Sequence, residues 1–516
     1  RVKMIYIDPP YNTGKDFIYP DNYRDNIANY LELTGQTGED GRKLATNPET
    51  SGRYHTHWLN MMYPRLKLAR NLLRDDGVIF ISIDDTEVAN LRKLCDEIFG
   101  EENFIAVFPW KRRTGANDSK QFYVSKDHEY LLAYAKTIDF AFQGMEKNLD
   151  NYTNPDNDPR GLWARDNLTC NKTADERPNL YYPITDPTTG ITYQANPNRV
   201  WAYEKQRMER NIADGKVLFP TNGTGTPMYK RHLSELRSNR KPLSTWIQSS
   251  NEQNDDDETL AMRFPLNMHA TKQLRALFGE QLFDFPKSHL MIQELLGQVI
   301  NNNDIVFDFF AGSGTTAHAV MALNAEDGGN RKFIMVQLPE PTDKPDYPTI
   351  ADIGKERIRR AGEKILADKG GIINLDVGFK VFKLDSTNIK PWDVGFDDLE
   401  TSLPLFADSL KDDRNNDDVL YEILLKYGLD LSLPITTHTL AGKTVYSIGM
   451  GALVVCLDQA ITLDTVEGIA KLKDELQPED GMMRVVFRDS GFADDVVKVN
   501  AVQILKQAGI EDVRSV

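Results

Sequence analysis

Only three cysteines, Cys95, Cys170 and Cys456, occur in 516 residues. They are far apart and odd in number, which excludes a disulfide scaffold and a cysteine-based zinc site and points to the reducing cytoplasm. Each is read as a small packed or partly exposed residue rather than a nucleophile. Histidine is scarce too, with eight residues. His55 and His57 alternate, but no carboxylate or cysteine follows at ligand spacing, so they are read as loop histidines and no metal is expected. No run of 18 apolar residues exists and the N-terminus lacks the build of a signal peptide, so no membrane segment is expected. A G-x-x-x-x-G-K-[ST] loop is missing, which excludes a P-loop, and the chain carries no translocase or nuclease motif. Basic residues are also short, 61 Lys+Arg against 77 Asp+Glu for a net charge of -16.

What is present begins with Asp8-Pro9-Pro10-Tyr11, which follows the apolar run Met4-Ile5-Tyr6-Ile7. Two adjacent prolines remove two backbone N–H donors and fix φ near -65°, so the turn is stiff. An acid, a carbonyl and an aromatic face converge there. Asp8 and the Pro9 carbonyl suit the two hydrogens of an exocyclic amine such as adenine N6, with Tyr11 stacked on the ring. The plainer reading is an Asp-initiated turn after a strand. A second motif separates the two readings.

That motif lies some 300 residues later. Residues 304–307 predict a buried strand that runs into Asp308-Phe309-Phe310-Ala311-Gly312-Ser313-Gly314-Thr315-Thr316, and 317–323 predict a helix. Strand, glycine turn and helix together form a site for a nucleotide-type cofactor, because glycines allow close backbone approach and the helix N-terminus offers N–H groups. The same loop fits G-x-G-x-x-A, so a nicotinamide or flavin enzyme is an alternative. That fingerprint expects an acid at the tip of the next strand, here 332–338, where Gln337 stands with Glu340 slightly beyond.

With both motifs the chain resembles the amino-methyltransferases that act on DNA with S-adenosylmethionine. In them D-P-P-Y is the catalytic motif and F-x-G-x-G the cofactor loop; catalytic motif first is the order of the circularly permuted beta class. Segments 58–66, 77–85, 128–136 and 285–292 support the resemblance, and 485–492 extends it to modification (Mod) subunits of type III restriction systems. The resemblance implies an α/β, Rossmann-like core with an inserted target-recognition domain and a C-terminal α/β module. It implies that Asp8, Pro9, Pro10 and Tyr11 hold the target base. Asp308, Phe310, Gly312, Gly314 and Thr315 would line the cofactor loop, and Phe285, Lys287 and Ser288 its far side. Gln337 occupies the place of an acid that binds ribose hydroxyls, and Ser288 a place that is often Pro, leaving a hydroxyl available. An N-terminal region ahead of Arg1, with another strand and a Gly-Asp cofactor contact, is also implied.

Charge is distributed unevenly. Residues 371–516 hold 14 basic against 25 acidic side chains, whereas 111–241 hold 21 against 16, a surplus of five positive charges. Phosphate contacts act over a Debye length of about 10 Å, so a local basic surface suffices for DNA. The insert, 111–258 with the last core strand near 128–136, carries Lys111, Arg112, Arg113, Arg199, Lys230, Arg231, Arg240 and Lys241, interleaved with Tyr181, Tyr182, Trp201 and Trp246. These are the candidate DNA contacts. An ordinary solvated surface with core aromatics is the alternative for any single residue. Residues 251–258, with four consecutive acids, read as an acidic linker.

The catalytic half is expected over 1–110, the cofactor half over 259–370, and a separate module over 371–516. In that module strands are predicted at 444–448, 452–457 and 483–487, helices at 464–476 and 494–507, and an exposed charged segment at 408–418. It has no catalytic constellation and reads as an assembly surface or as a domain that covers the core. The expected activity is methyl transfer to adenine N6 in duplex DNA by base flipping, through a homodimer that assembles with a nuclease-translocase (Res) subunit. Alternatives are a solitary methyltransferase, cytosine-N4 transfer, disfavoured because relatives acting there usually carry Ser in place of Asp8, and a non-catalytic specificity subunit.

Overall fold

Val2–Ile7 is buried at all six positions, so this strand has to lie inside a sheet covered on both faces. In the computed structural model it does. The model describes residues 1–14, 54–113, 125–220, 223–250, 261–370, 375–390, 410–478 and 481–516, with the short strands 17–18 and 45–46. The expected linker at 251–258 and residues 408–409 of the charged segment lie outside the described residues. The chain divides into two compact units, Arg1–Gly378 and Phe379–Val516.

In the first unit the principal elements are β1 (Val2–Ile7), α1 (Tyr54–Leu72), β2 (Leu73–Ile83), α2 (Val88–Phe99), β3 (Phe104–Lys111) and β4 (His128–Ala135). There follow β5 (Trp163–Asn167), α3 (Lys205–Ala213), β6 (Val217–Leu218), β7 (Met228–His232), α4 (Asn267–Phe278) and α5 (His289–Val299). The unit ends with β8 (Ile305–Asp308), α6 (Thr315–Asp327), β9 (Lys332–Met335) and α7 (Ile350–Asp368). Six strands form one sheet in the order β9-β8-β1-β2-β4-β3. β1 pairs in parallel with both β8 and β2, and β8 with β9, whereas β4 runs antiparallel to β2 and β3.

The two-residue period of β1 separates two cores. Met4 and Tyr6 pack with Met291, Ile292 and Leu295 of α5 and Ala319 and Val320 of α6. Ile5 and Ile7 pack with Trp58, Met61 and Leu66 of α1 and Leu91 and Cys95 of α2. The strand predicted at 304–307 is thus β8, and the helix predicted at 317–323 begins earlier, at Thr315. His55 and His57 are not loop residues; they lie in the first turn of α1.

Between β4 and α4 a smaller sheet forms in the order β6-β7-β5. Its core contains Tyr182, Tyr193, Trp201, Met208 and Tyr229.

The second unit contains α8 (Asn416–Tyr427), β10 (Ile435–Leu440), β11 (Lys443–Ile448), β12 (Leu453–Cys456), α9 (Leu463–Leu476), β13 (Arg484–Phe487), α10 (Asp495–Gln507) and β14 (Asp512–Ser515). The five strands pair in chain order, antiparallel through β12 and parallel from β12 to β14. The segment expected to be charged and exposed ends inside α8, whose Asn415 cap accepts from the Asp418 N–H and whose Val419 and Leu420 are buried. Asp417 and Asp418 complement the helix N-terminus there.

Candidate active site

The parallel register that matches Met4 to Val306 and Ile5 to Phe307 brings the turn after β1 beside the glycine loop after β8. Both turns lie at the carboxyl ends of neighbouring central strands, where open α/β sheets place their ligands.

Side chains from remote elements fix the Asp-Pro-Pro-Tyr turn. Trp58 Nε1 of α1 donates to the Pro10 carbonyl at 2.7 Å. Asn12 follows Tyr11 with a left-handed φ of 59°, a conformation that asparagine tolerates. Its Nδ2 donates to Glu87 Oε1 at 2.6 Å. Glu87 is fully buried and also holds His55 Nδ1 at 2.7 Å and Asn90 Nδ2 at 2.8 Å.

Four charges meet above the turn. Lys287 Nζ lies 3.3 Å from Asp8 Oδ1 and 3.2 Å from Glu129 Oε2, and donates to the Tyr11 hydroxyl at 2.7 Å. Tyr11 in turn donates to Glu129 Oε2 at 3.3 Å, and Arg112 Nη1 binds Glu129 Oε1 at 2.9 Å. Two acids and two bases balance; Lys287 and Glu129 are buried, whereas Asp8 and Arg112 reach the surface. Burial raises the Asp8 carboxyl above its ordinary range, and Lys287 opposes that rise. Burial also pushes Glu129 upward, but Lys287 and Arg112 outweigh it and hold this carboxyl below its usual range. Lys287 is pulled down by burial and lifted further by Asp8 and Glu129, so it stays charged.

The glycine loop is held from behind. Gly312 and Gly314 have φ of 50° and 77°. A Cβ on Gly314 would stand 3.0 Å from the Gly354 carbonyl of α7, so only glycine lets helix and loop approach this closely. Asp308 accepts from the Phe310 N–H at 3.0 Å and from the Thr316 hydroxyl at 2.6 Å. Burial lifts its carboxyl to about 7 against those two hydrogen bonds. Arg357 of α7, fully buried, donates to the hydroxyls of Ser313 at 2.7 Å and Thr315 at 2.5 Å.

Gln337 is tied to the loop, its Oε1 accepting from the Gly312 N–H at 2.7 Å. Its Nε2 reaches Glu340 Oε1 at 3.3 Å, placing an acid just past the end of β9. The Ser288 hydroxyl expected to be available is used as the cap of α5, where it accepts from the Leu290 N–H. Phe285 is 83% exposed, with φ of 52°.

The candidate DNA residues separate into two groups. Lys230 is a correction: it is buried, 2.6 Å from Asp156 and 2.5 Å from Asp158, with its ammonium over the Trp163 ring. A cation with two carboxylates inside the insert's core does not reach a phosphate. Tyr182 and Trp201, read as base contacts, are core residues. Arg112 is committed to Glu129, Arg113 to Asp127, Arg231 to Asp166 and Arg240 to Glu146 and the Gln143 carbonyl. Lys111, Arg199 and Lys241 are exposed, as are Tyr181 and Trp246. Trp58 and Glu129 entered the sequence reading only as members of segments 58–66 and 128–136 that support the resemblance, and Glu87 and Arg357 did not enter it; none of the four was given a role.

Residues 2–340 match the family described as DNA methylase. The Mod subunit of the type III restriction-modification enzyme StyLTI of Salmonella typhimurium is 37% identical over 78% of this chain and 59% of its own length. The EcoP15I Mod subunit of Escherichia coli is 32% identical over 74% and 62%. The EcoPI Mod subunit of Escherichia phage P1 is 31% identical over 86% and 71%. The chain thus spans about three fifths of the length of the first two relatives.

Proposed function

The chain belongs to the DNA methylase family, and on that premise we propose that it transfers a methyl group from S-adenosylmethionine to adenine N6 in duplex DNA. The observation that carries this reading is the adjacency of β1 and β8, which puts an amine-accepting turn and a glycine loop side by side at the carboxyl ends of two central strands.

The donor set fits such a cofactor. Gly312, half-buried, lets the loop approach a ligand at the head of α6, Gly314 lets α7 pack behind it, Asp308 and Thr315 flank the turn, and Glu340 supplies an acceptor for hydroxyls. When bound, S-adenosylmethionine supplies an electrophilic methyl. Asp8 and the Pro9 carbonyl accept the two N6 hydrogens of an extruded adenine and aim the nitrogen lone pair; Tyr11 clamps the ring. With the donor bound, the neutral nitrogen would take the methyl as the sulfur–methyl bond breaks and S-adenosylhomocysteine leaves, and the proton on nitrogen would pass to Asp8 or water. Catalysis is positioning and electrostatics.

We assign the region between β4 and α4 to target recognition, with Lys111, Arg199 and Lys241 on phosphates. In the same reading the core is the permuted form, and the protein works in the cytoplasm as a type III modification subunit, homodimeric and partnered by a nuclease-translocase. Cys95, Cys170 and Cys456 are unpaired thiols, and among the described residues no helix is long and apolar enough to cross a membrane. Labelled S-adenosylmethionine offered with a DNA library tests the activity: N6-methyladenine at one sequence context supports it, and DNA binding without label in DNA refutes it. Co-purification with a large ATP-dependent subunit tests the type III assignment.

A further inference from the structure

Arg112 joins three stretches of chain at one residue. Its N–H donates to the Asp127 carbonyl, just ahead of β4, at 2.9 Å. Its carbonyl accepts from the N–H of Asn267, the first residue of α4, also at 2.9 Å. The region between β4 and α4 re-enters the core along this line. Ile247 bridges Trp110 in parallel, and Phe264 packs edge-on against the Trp110 ring with centroids 5.9 Å apart. Both backbone groups of Arg112 are thus used, one by the core and one by the returning segment.

The side chain of Arg112 ends in the catalytic cluster. Its Nη1 holds Glu129 Oε1 at 2.9 Å, while Glu129 Oε2 accepts from the Tyr11 hydroxyl at 3.3 Å and from Lys287 at 3.2 Å. Glu129 is paired with Trp110 across β3 and β4, and its side chain is 3% exposed, so water does not compete for the carboxylate. Lys287 already gives Glu129 a counter-ion. What Arg112 adds is direction, because pinning one oxygen aims the other at Tyr11.

We infer that Arg112 is a positioning residue that ties the root of the target-recognition region to the Tyr11 clamp through Glu129, so that the rate of transfer depends on it and the affinity for DNA does not. The inference rests on the adenine-N6 reading above for the role of Tyr11. A phosphate contact, the role that Arg112 has in the sequence alone, predicts the reverse pattern.

The full chain is tested with a duplex bearing the mapped target base, reading the single-turnover rate of methyl transfer, DNA affinity across a salt series and melting temperature. Arg112→Met is expected to slow transfer about ten-fold, because the clamp loses its alignment, and to leave the salt dependence of DNA affinity unchanged. Arg112→Lys returns a charge without the planar fork and is expected to recover part of the rate. The double variant Arg112→Met, Glu129→Gln is expected to be no slower than Glu129→Gln alone, since Arg112 acts through that carboxylate. Losses that multiply in the double variant, or an unchanged rate in Arg112→Met, overturn the inference. So does a slope of log affinity against log salt smaller by about one in Arg112→Met, which marks a phosphate contact. Equal losses of rate and DNA affinity with a lowered melting temperature mark a merely structural role and overturn it too. If the unmodified protein transfers to cytosine N4, the adenine reading fails, yet the rate ratios still decide the role of Arg112.

Discussion

Arg357 donates to the Ser313 hydroxyl at 2.7 Å from a fully buried position, and among the described residues no carboxylate pairs with it. Burial alone draws its guanidinium down to about 9, still charged at neutral pH. A buried charge without a counter-ion is a cost to the fold, so its role lies in shaping the loop. Arg357→Met is expected to change unfolding free energy by less than about 1 kcal/mol, since an apolar side chain of similar length avoids the desolvation cost. The same variant is expected to weaken S-adenosylmethionine binding about ten-fold, because Ser313 and Thr315 lose the donor that orients them. Chemical denaturation and calorimetric titration read the two effects; a loss of several kcal/mol in stability would contradict the first.

Asp8→Ala removes the acceptor for the amine. Transfer of labelled methyl is expected to be abolished, with cofactor affinity within a few-fold of the parent protein, since Asp8 belongs to the turn after β1 and not to the glycine loop. Turnover near that of the unmodified protein refutes the catalytic assignment.

Asp308 gives the protein a pH dependence of definite sign. Its carboxyl titrates at about 7 in the fold against 3.8 ordinarily, so the folded state binds the proton more tightly than the unfolded one. The stabilisation is present in full below about pH 4 and is lost as pH rises through 7, for a total of about 4 kcal/mol. Asp308→Asn is expected to flatten this slope. Melting curves of the two proteins between pH 5 and 8 should diverge toward acid, with the parent gaining relative stability there.

Lys230 and Lys241 are close in sequence and opposite in situation, one buried between two aspartates and the other exposed. Removing an exposed phosphate contact reduces the slope of log affinity against log salt by about one. Lys241→Met is expected to do so. Lys230→Met is expected to leave the slope unchanged and to lower the melting temperature, because Asp156 loses the cation it pairs with and Asp158 is left with Arg160 and His232. DNA binding measured across a salt series distinguishes them.

Much of the core was legible because short-range patterns specify it. The run Met4–Ile7 followed by two prolines demanded a strand and a stiff turn, and Gly312 and Gly314 demanded a left-handed loop before a helix. The predicted elements of the second unit fall within one residue of β11, β12, α9, β13 and α10. Helical residues His55 and His57 were misread because the signal that starts α1 is weak, with no acid in its first turn.

The sequence by itself determined which chemical groups the protein owns: an acid, two prolines and an aromatic in one turn, glycines in another, and a modest surplus of cations between them. Tertiary structure decided which of those groups are available. Lys230 and Trp201 look like nucleic-acid contacts in one dimension, but partners 72 and 19 residues away draw them inward. Lys287 and Tyr11, 276 residues apart, meet because α5, which Lys287 precedes, packs against β1. Residue type and spacing encode propensity, but burial and ion pairing are set by contacts between remote segments, and those contacts exist only once the sheet has formed.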